Sequence, residues 1–276
     1  MSISKTQIDK LGKRMRADDG PSEADLALYE EMCERYESPI EVVSDIIHDA
    51  GLVVTTRFPK TAGTLIEKLR RDRTRLSTVQ DVAGARVVID GGRNSQDSVV
   101  KKLADRLNDV GRADIIDRRE EPSHGYRAVH IIARVDGIPV EIQVRTVLQD
   151  TWANTMERFA DIFGRQVRYG ELPTDPDKQL SPEIDELTPR SLHQLILDLG
   201  TSIHRIESAN QGYESFLESG ADSLVFDSTD VDFGDLAEED IQALVGQDVG
   251  DILKGFVENL QNLGEHLQLL LKKLEV

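Results

Sequence analysis

The spacing of apolar residues changes several times along this chain, and each change marks a predicted element. From Ser22, a side chain able to cap a helix, Leu26, Tyr29, Met32, Cys33 and Tyr36 recur at three- and four-residue steps. Pro39 breaks this run, and residues 40–50 read as a second helix ended by Gly51. Residues 52–57, LVVTTR, are short and β-branched and predict a strand. Residues 62–75 return to helical spacing, with Leu65, Ile66 and Leu69 inward and Lys68, Arg70, Arg71, Arg73 and Arg75 outward. Residues 85–90 predict a second strand closed by Gly91 and Gly92. Residues 94–110 predict an amphipathic helix with Val99, Val100, Leu103 and Leu107 on one face, and residues 114–117 a short strand.

Residues 128–135 and 138–145 predict a hairpin around Asp136-Gly137, a pair favoured in tight turns. Alternation puts Ile131, Ala133 and Val135 on one face and His130, Ile132 and Arg134 on the other. In the second strand Glu141, Gln143 and Arg145 share a face opposite Ile142 and Val144. Three polar residues on one strand face mark either solvent or a site. A helix over 146–163 follows, burying Leu148, Trp152, Met156 and Phe159 or Phe163. The order strand–helix–strand–helix–strand–hairpin–helix predicts an α/β (α+β) domain, a mixed sheet flanked by helices.

Prolines 173, 176, 182 and 189, with acids between them, predict a linker. Residues 190–219 are helical in period through Leu192, Leu195, Ile196, Leu199, Ile203 and Ile206. Residues 220–237 read as an acidic loop and 248–274 as a second long amphipathic helix. The expected organisation is therefore a basic arm and helices at 1–51, a catalytic domain at 52–170, a linker at 171–189, and a helical acidic region at 190–276.

Composition narrows the chemistry. Apolar residues make up 39% of 276, enough for a core, and no apolar run is long enough to span a bilayer. The first residues, MSISKTQIDKLGKRMR, lack the apolar core of a secretory signal, so a cytoplasmic location is expected, with residues 5–16 as a mobile basic arm. The single cysteine, Cys33, excludes an internal disulfide and a cysteine-rich zinc site. Any metal is a hard cation held by carboxylates. Of the net charge of −18, residues 171–276 carry −17, with 23 acids against 6 bases. That asymmetry suggests a region that repels, masks or recruits a partner, or one that solvates the chain.

Asp81 opens DVAGARVVID and Glu141 sits in VEIQVRT, so two carboxylates can converge at one end of a sheet. Converging carboxylates repel unless a cation or proton lies between them. With Arg57, Lys60, Lys68 and Arg86 near in the chain, the matching ligand is a polyphosphate carried with Mg²⁺. Tyr126, beside Gly125, can offer a ring face to a second base. Singly, each residue has a plainer reading: Asp81 as a turn cap, Glu141 paired with Arg145, Tyr126 packed in the core.

Together, RxxK…TLxEKL, DVAGARVV, HGYRAVH and VEIQVRTVLQDTWA resemble the synthetase domain of the RelA/SpoT alarmone synthetases over residues 52–165. No hydrolase motif precedes them, so the resemblance is to the small stand-alone synthetases or their toxic relatives. It implies a nucleotidyltransferase-like fold and transfer of the β,γ-pyrophosphate of ATP to the ribose 3′-hydroxyl of GDP or GTP. The toxic relatives imply instead the 3′ end of tRNA, or adenine nucleotides, as acceptor, and an antitoxin partner. The resemblance makes Asp81 and Glu141 catalytic and Mg²⁺-binding. It places Arg57 and Arg86 around adenine, and Lys60 and Lys68 on ATP phosphates. Tyr126, His130, Gln143 and Arg145 fall on the acceptor side. A homo-oligomer built through C-terminal helices, or an autoinhibitory role for that region, is a further expectation; neither membrane nor DNA is an expected partner.

The chain departs from the family pattern in places. Lys60 stands three residues after Arg57 where the family spaces the pair by two, Thr64 replaces a serine, and Ala128 replaces another. Glu120 and Glu121 stand near the position of lysines that grip acceptor phosphates. Arg118, Arg119 or His124 can substitute, or the acceptor lacks that polyphosphate.

Overall fold

The computed structural model describes residues 3–57, 59–181, 186–219 and 249–274. Thirteen α-helices and strands follow in order among them: α1 (Lys5–Met15), α2 (Glu23–Glu34), α3 (Glu37–Asp49), β1 (Val54–Arg57), α4 (Ala62–Asp72), β2 (Gly84–Ile89), α5 (Arg93–Val110), β3 (Gly111–Asp117), β4 (Val129–Val135), β5 (Ile138–Thr146), α6 (Val147–Phe163), α7 (Pro189–Ser219) and α8 (Val249–Leu274). The expected loop at 220–237 lies outside the described residues. The architecture is α+β, a mixed five-stranded sheet in the order β1-β2-β5-β4-β3 flanked by helices.

Contacts divide the chain into two compact units. The first comprises Met1–Ile89, Asp97–Arg118 and Ala128–Arg145; the second comprises Asp90–Gln96, Arg119–Arg127 and Thr146–Val276. The second unit thus takes in α6, which the sequence pattern grouped with the catalytic segment.

The first unit is the sheet and its helices. β3 pairs antiparallel with β4 and β4 with β5, and Asp136 and Gly137 at the hairpin turn have φ of 51° and 76°. Two successive left-handed residues match the right-handed twist of the strands they join. One sheet face carries Ala85, Val87, Ile89, Ile131, Ala133, Val140, Ile142 and Val144 into a core shared with Val43 and Ile47 of α3 and Leu103 and Leu107 of α5.

Residues 5–16 are not a mobile arm. They form α1, whose Ser4 and Gln7 make a reciprocal capping box and whose Leu11, Gly12 and Met15 are buried. Ile8, Leu11 and Met15 make a one-sided stripe, and the lysines and arginines that dominate the composition lie on its outer side. Pro39 sits within the first turn of α3 and does not interrupt it, since the first turn has no amide hydrogen bond for proline to remove. The outward arginines of α4 are partly tied down. Arg70 donates to the carbonyls of Arg16 (3.3 Å) and Ala17 (2.7 Å), and Arg71 pairs with Asp72 at 2.7 Å.

In the second unit α6, α7 and α8 pack on one another. Leu148, Trp152, Met156, Phe159 and Phe163 of α6 meet Leu192, Ile196, Leu199 and Ile203 of α7 and Leu267 and Leu271 of α8. Both Phe159 and Phe163 are buried, ring centroids 4.8 Å apart. The apolar faces of the two C-terminal helices are therefore partly covered within this chain, with Leu195 of α7 and Phe256, Leu263 and Leu269 of α8 still exposed.

Phe159→Ala should cost about 3–5 kcal/mol of unfolding free energy in urea titration, against about 0.5 kcal/mol or less for the more exposed Leu195→Ser. Deleting residues 171–276 should leave α6 uncovered and yield aggregated protein in size-exclusion chromatography. A monodisperse fragment with a cooperative melt would contradict this packing.

Candidate active site

Strand alternation builds the first half of the site. Because Ala85 and Val87 of β2 enter the core, Gly84 and Arg86 look the other way. On β5, Val140, Ile142 and Val144 are buried, so Glu141, Gln143 and Arg145 take the opposite face. Register pairs His130 with Gln143 and Ile132 with Glu141, which puts His130 on that face too. Arg57 lies opposite Gly84 and Thr55 opposite Arg86, so Arg57 and Arg86 are diagonal neighbours on one face. Gly84 carries no side chain there because a Cβ would lie 3.0 Å from the Glu141 carbonyl.

The loop ahead of β2 supplies the other half. Asp81 receives Lys60 Nζ at Oδ2 and Lys68 Nζ at Oδ1, the latter at 2.7 Å. All three side chains are at most a quarter exposed. The backbone of Lys60 is held at both ends: its amide donates to the Val82 carbonyl at 2.8 Å, and its carbonyl accepts from the Tyr29 hydroxyl. The longer Arg57–Lys60 spacing thus still delivers the lysine to Asp81. Tyr29, read from sequence only as a helix-core residue, is part of this support. Helix α4, capped by Thr61 on the Thr64 amide, carries Lys68 beside the buried Leu69.

Burial works against charge on Asp81, but Lys60 and Lys68 outweigh it and hold the carboxyl at about 2. Burial likewise depresses Lys60, and the repulsion of Lys68 and Arg57 adds to it, more than the attraction of Asp81 offsets. The two partners are pulled in the same direction for different reasons.

Glu141 is close by. Its amide donates to the Ala83 carbonyl at 3.3 Å, two residues beyond Asp81. Its Oε1 lies 3.2 Å from His130 Nδ1, and its Oε2 accepts from Gln143 Nε2 at 2.8 Å. Burial raises its pKa, yet the His130 contact and the Gln143 hydrogen bond bring it below the ordinary value against the opposing charge of Asp81. Arg145 is fully buried and donates to Gln143 Oε1 at 2.7 Å, so it bears on Glu141 through Gln143.

Nine of the ten residues singled out in the sequence belong to this first unit. Tyr126 belongs to the second, on a loop whose Ser123 carbonyl accepts from the Tyr126 amide at 3.0 Å. There it lines a cavity of about 180 Å³ with Trp152, Met156, Glu157, Arg168 and Tyr169. Trp152 reads as core from its helical spacing, and it is both 3% exposed and a cavity wall. Arg168 and Tyr169 carry no signal in the sequence pattern. Glu120, flagged as an obstacle to acceptor phosphates, is engaged by Arg93 Nη1 at 2.7 Å within the same unit, which neutralises it.

Asp81 and Glu141 are ionised, hard-oxygen donors, and no group of three metal-ligating side chains occurs among the described residues. That donor set fits a magnesium ion completed by phosphate oxygens of a substrate better than a resident metal cage.

Residues 57–159 match the family model described as the region found in RelA / SpoT proteins. An uncharacterized protein of Mycobacterium tuberculosis is 40% identical over 146 residues, 52% of this chain and 50% of the relative. This chain therefore spans about half the length of the first curated relatives it matches. A GTP pyrophosphokinase of Bacillus subtilis is 26% identical over 205 residues, 67% of this chain and 90% of that protein. Among solved structures, the small alarmone synthetase 1 from Bacillus subtilis aligns at 19% identity with a TM-score of 0.46, covering 71% of this chain and 97% of the other.

The depressed pKa of Asp81 makes a pH prediction. Its contribution is complete above the ordinary carboxylate range and is lost as pH falls through a window from about 4 to about 2. Wild-type unfolding free energy should drop across that window by on the order of 2 kcal/mol more than that of Asp81→Asn. Parallel pH profiles for the two proteins would refute the Lys60–Asp81–Lys68 cluster.

Proposed function

The chain carries a RelA/SpoT region at residues 57–159, and from that premise we propose that it is an ATP-dependent pyrophosphokinase that makes guanosine alarmones from GDP or GTP. The observation that carries the reading is Asp81 compensated by two ammonium groups, beside a second ionised carboxylate, Glu141. Lysines of this kind can leave a carboxylate for a polyphosphate, and the carboxylate is then ready for the cation that accompanies it.

In this account Arg57 and Arg86, diagonal neighbours on one sheet face, enclose the adenine, because planar guanidinium groups stack on bases. Lys60 and Lys68 take the ATP phosphates. Magnesium, when bound, would be held by Asp81 and Glu141 and would draw charge from the phosphate oxygens. The acceptor 3′-oxygen attacks the β-phosphorus of ATP, the bond from that phosphorus to the α,β-bridging oxygen breaks, and AMP leaves with the electron pair. Glu141 Oε1 accepts the hydroxyl proton, with His130 Nδ1 next to it as the neighbouring proton site. Gln143, oriented by Arg145, fixes the Glu141 carboxylate, and Tyr126 stacks on the acceptor base. Most of the acceleration in such chemistry comes from positioning and charge neutralisation.

The test is an acceptor panel with purified protein, ATP and Mg²⁺. Label should pass to GDP or GTP, and Asp81→Asn and Glu141→Gln should each lose at least about 10³-fold of turnover while retaining a cooperative melt. Lys68→Met should raise the KM for ATP about tenfold or more and leave that of the acceptor nearly unchanged. Transfer to deacylated tRNA or ADP alone would keep the chemistry and overturn the guanosine assignment. Transfer to none of the four, with an active reference synthetase in the same assay, would overturn both.

A further inference from the structure

Helix α7 lies beyond the RelA/SpoT-matched residues, yet within the second unit it holds the Tyr126 loop from both sides. On one side, Arg127 Nη1 donates to the Gly200 carbonyl of α7 at 3.1 Å and to Gly125 at 3.2 Å, while its Nε donates to Arg119 at 3.2 Å. One guanidinium thus spans the two ends of the loop and fastens them to α7. On the other side, Arg93 is 3% exposed and joins Glu120 of the loop at 2.7 Å to His204 Nδ1 of α7 at 2.7 Å. Its Nε lies 3.8 Å from Glu207, which is 4% exposed and also accepts from Thr146 and from Gln149 at 2.9 Å. Gly200, His204 and Glu207 stand at steps of four and three, so a single face of α7 makes all these contacts.

Close packing fixes the turn itself. His124 and Gly125 both have positive φ, 51° and 87°. A Cβ on Gly125 would come within 2.8 Å of the Trp152 ring, and one on Gly200 within 2.6 Å of Trp152 Nε1, which donates to the Ile196 carbonyl at 2.6 Å. Trp152 is therefore pressed between the loop and α7 while it lines the Tyr126 cavity. His204 is neutral at neutral pH, because burial and then the charge of Arg93 lower its pKa, so its Nδ1 can accept from Arg93.

We propose that this face of α7, acting through Arg127 and the Arg93–His204–Glu207 group, positions the Tyr126 loop for the acceptor. These are positioning residues of the acceptor half alone. The inference rests on the reading of Tyr126 as the acceptor-base platform, and it assigns α7 a part in acceptor affinity.

Trp152 is the single tryptophan of the chain, so its fluorescence reports on the cavity directly. Full-length wild type, Arg127→Met and His204→Ala would be titrated with GDP, GTP and ADP, and KM values measured for ATP and acceptor. Wild-type emission should be quenched by the nucleotide that serves as acceptor. In both variants the half-quenching concentration and the acceptor KM should rise about tenfold, with the ATP KM within about twofold. His204→Ala removes one anchor and leaves the other, so it keeps the test open should Arg127→Met fail to fold. Unchanged acceptor binding in a folded variant would overturn the positioning inference and leave the pyrophosphokinase reading standing. A parallel rise of both KM values would also overturn it, showing general loosening. Turnover without any quenching in wild type would remove the Tyr126 premise and the inference with it.

Discussion

A buried carboxylate held between two ammonium groups is the constraint from which the rest of the candidate site follows. Burial penalises the charge on Asp81, and Lys60 and Lys68 outweigh that penalty, while the attraction of Asp81 offsets part of the burial and mutual repulsion that depress Lys60. The surroundings serve this balance: Tyr29 and Val82 fix the backbone of Lys60, and α4 carries Lys68. Glu141, bonded to His130 and Gln143, adds a second negative charge next to it. The cluster is thus locally neutralised, by ammonium groups carried on long side chains.

The sheet makes the cluster possible by separating two tasks. Its inward positions are aliphatic and supply the stability, so its outward positions are free to be Arg57, Arg86, His130, Glu141 and Gln143. Arg145 shows the limit of this separation: it occupies an outward position and is still buried, and it reaches Glu141 through Gln143. In the second unit a comparable economy holds, since Trp152 is at once core, cavity wall and the contact between the Tyr126 loop and α7.

Much of this was legible in the chain because strand alternation has a period of two and admits few alternatives. The hairpin, its turn and the shared face of Glu141, Gln143 and Arg145 follow from that period. Helix α1 was hidden because its basic residues outnumber Ile8, Leu11 and Met15, and only the Ser4–Gln7 spacing signalled its start. The acidic C-terminal region reads by charge as solvated, yet Glu207 is internal, and nothing in a one-dimensional pattern says that an acid on an amphipathic helix points inward. Lys60 shows a third kind of limit. Motif spacing made it an irregular match, whereas a long side chain on a backbone fixed elsewhere tolerates the extra residue. Contacts such as Arg127 to Gly200 join residues 73 apart through a backbone carbonyl, which leaves no trace in residue type.

The central claim is that the site moves a pyrophosphoryl group as one piece. The most direct measurement follows ATP carrying label on the γ-phosphate and, separately, on the α-phosphate, with Mg²⁺ and a guanosine nucleotide present. The account predicts that γ-label enters the acceptor while α-label appears as AMP in a one-to-one ratio, with no ADP formed. Accumulation of ADP, or γ-label released as free phosphate without entering the acceptor, would contradict it.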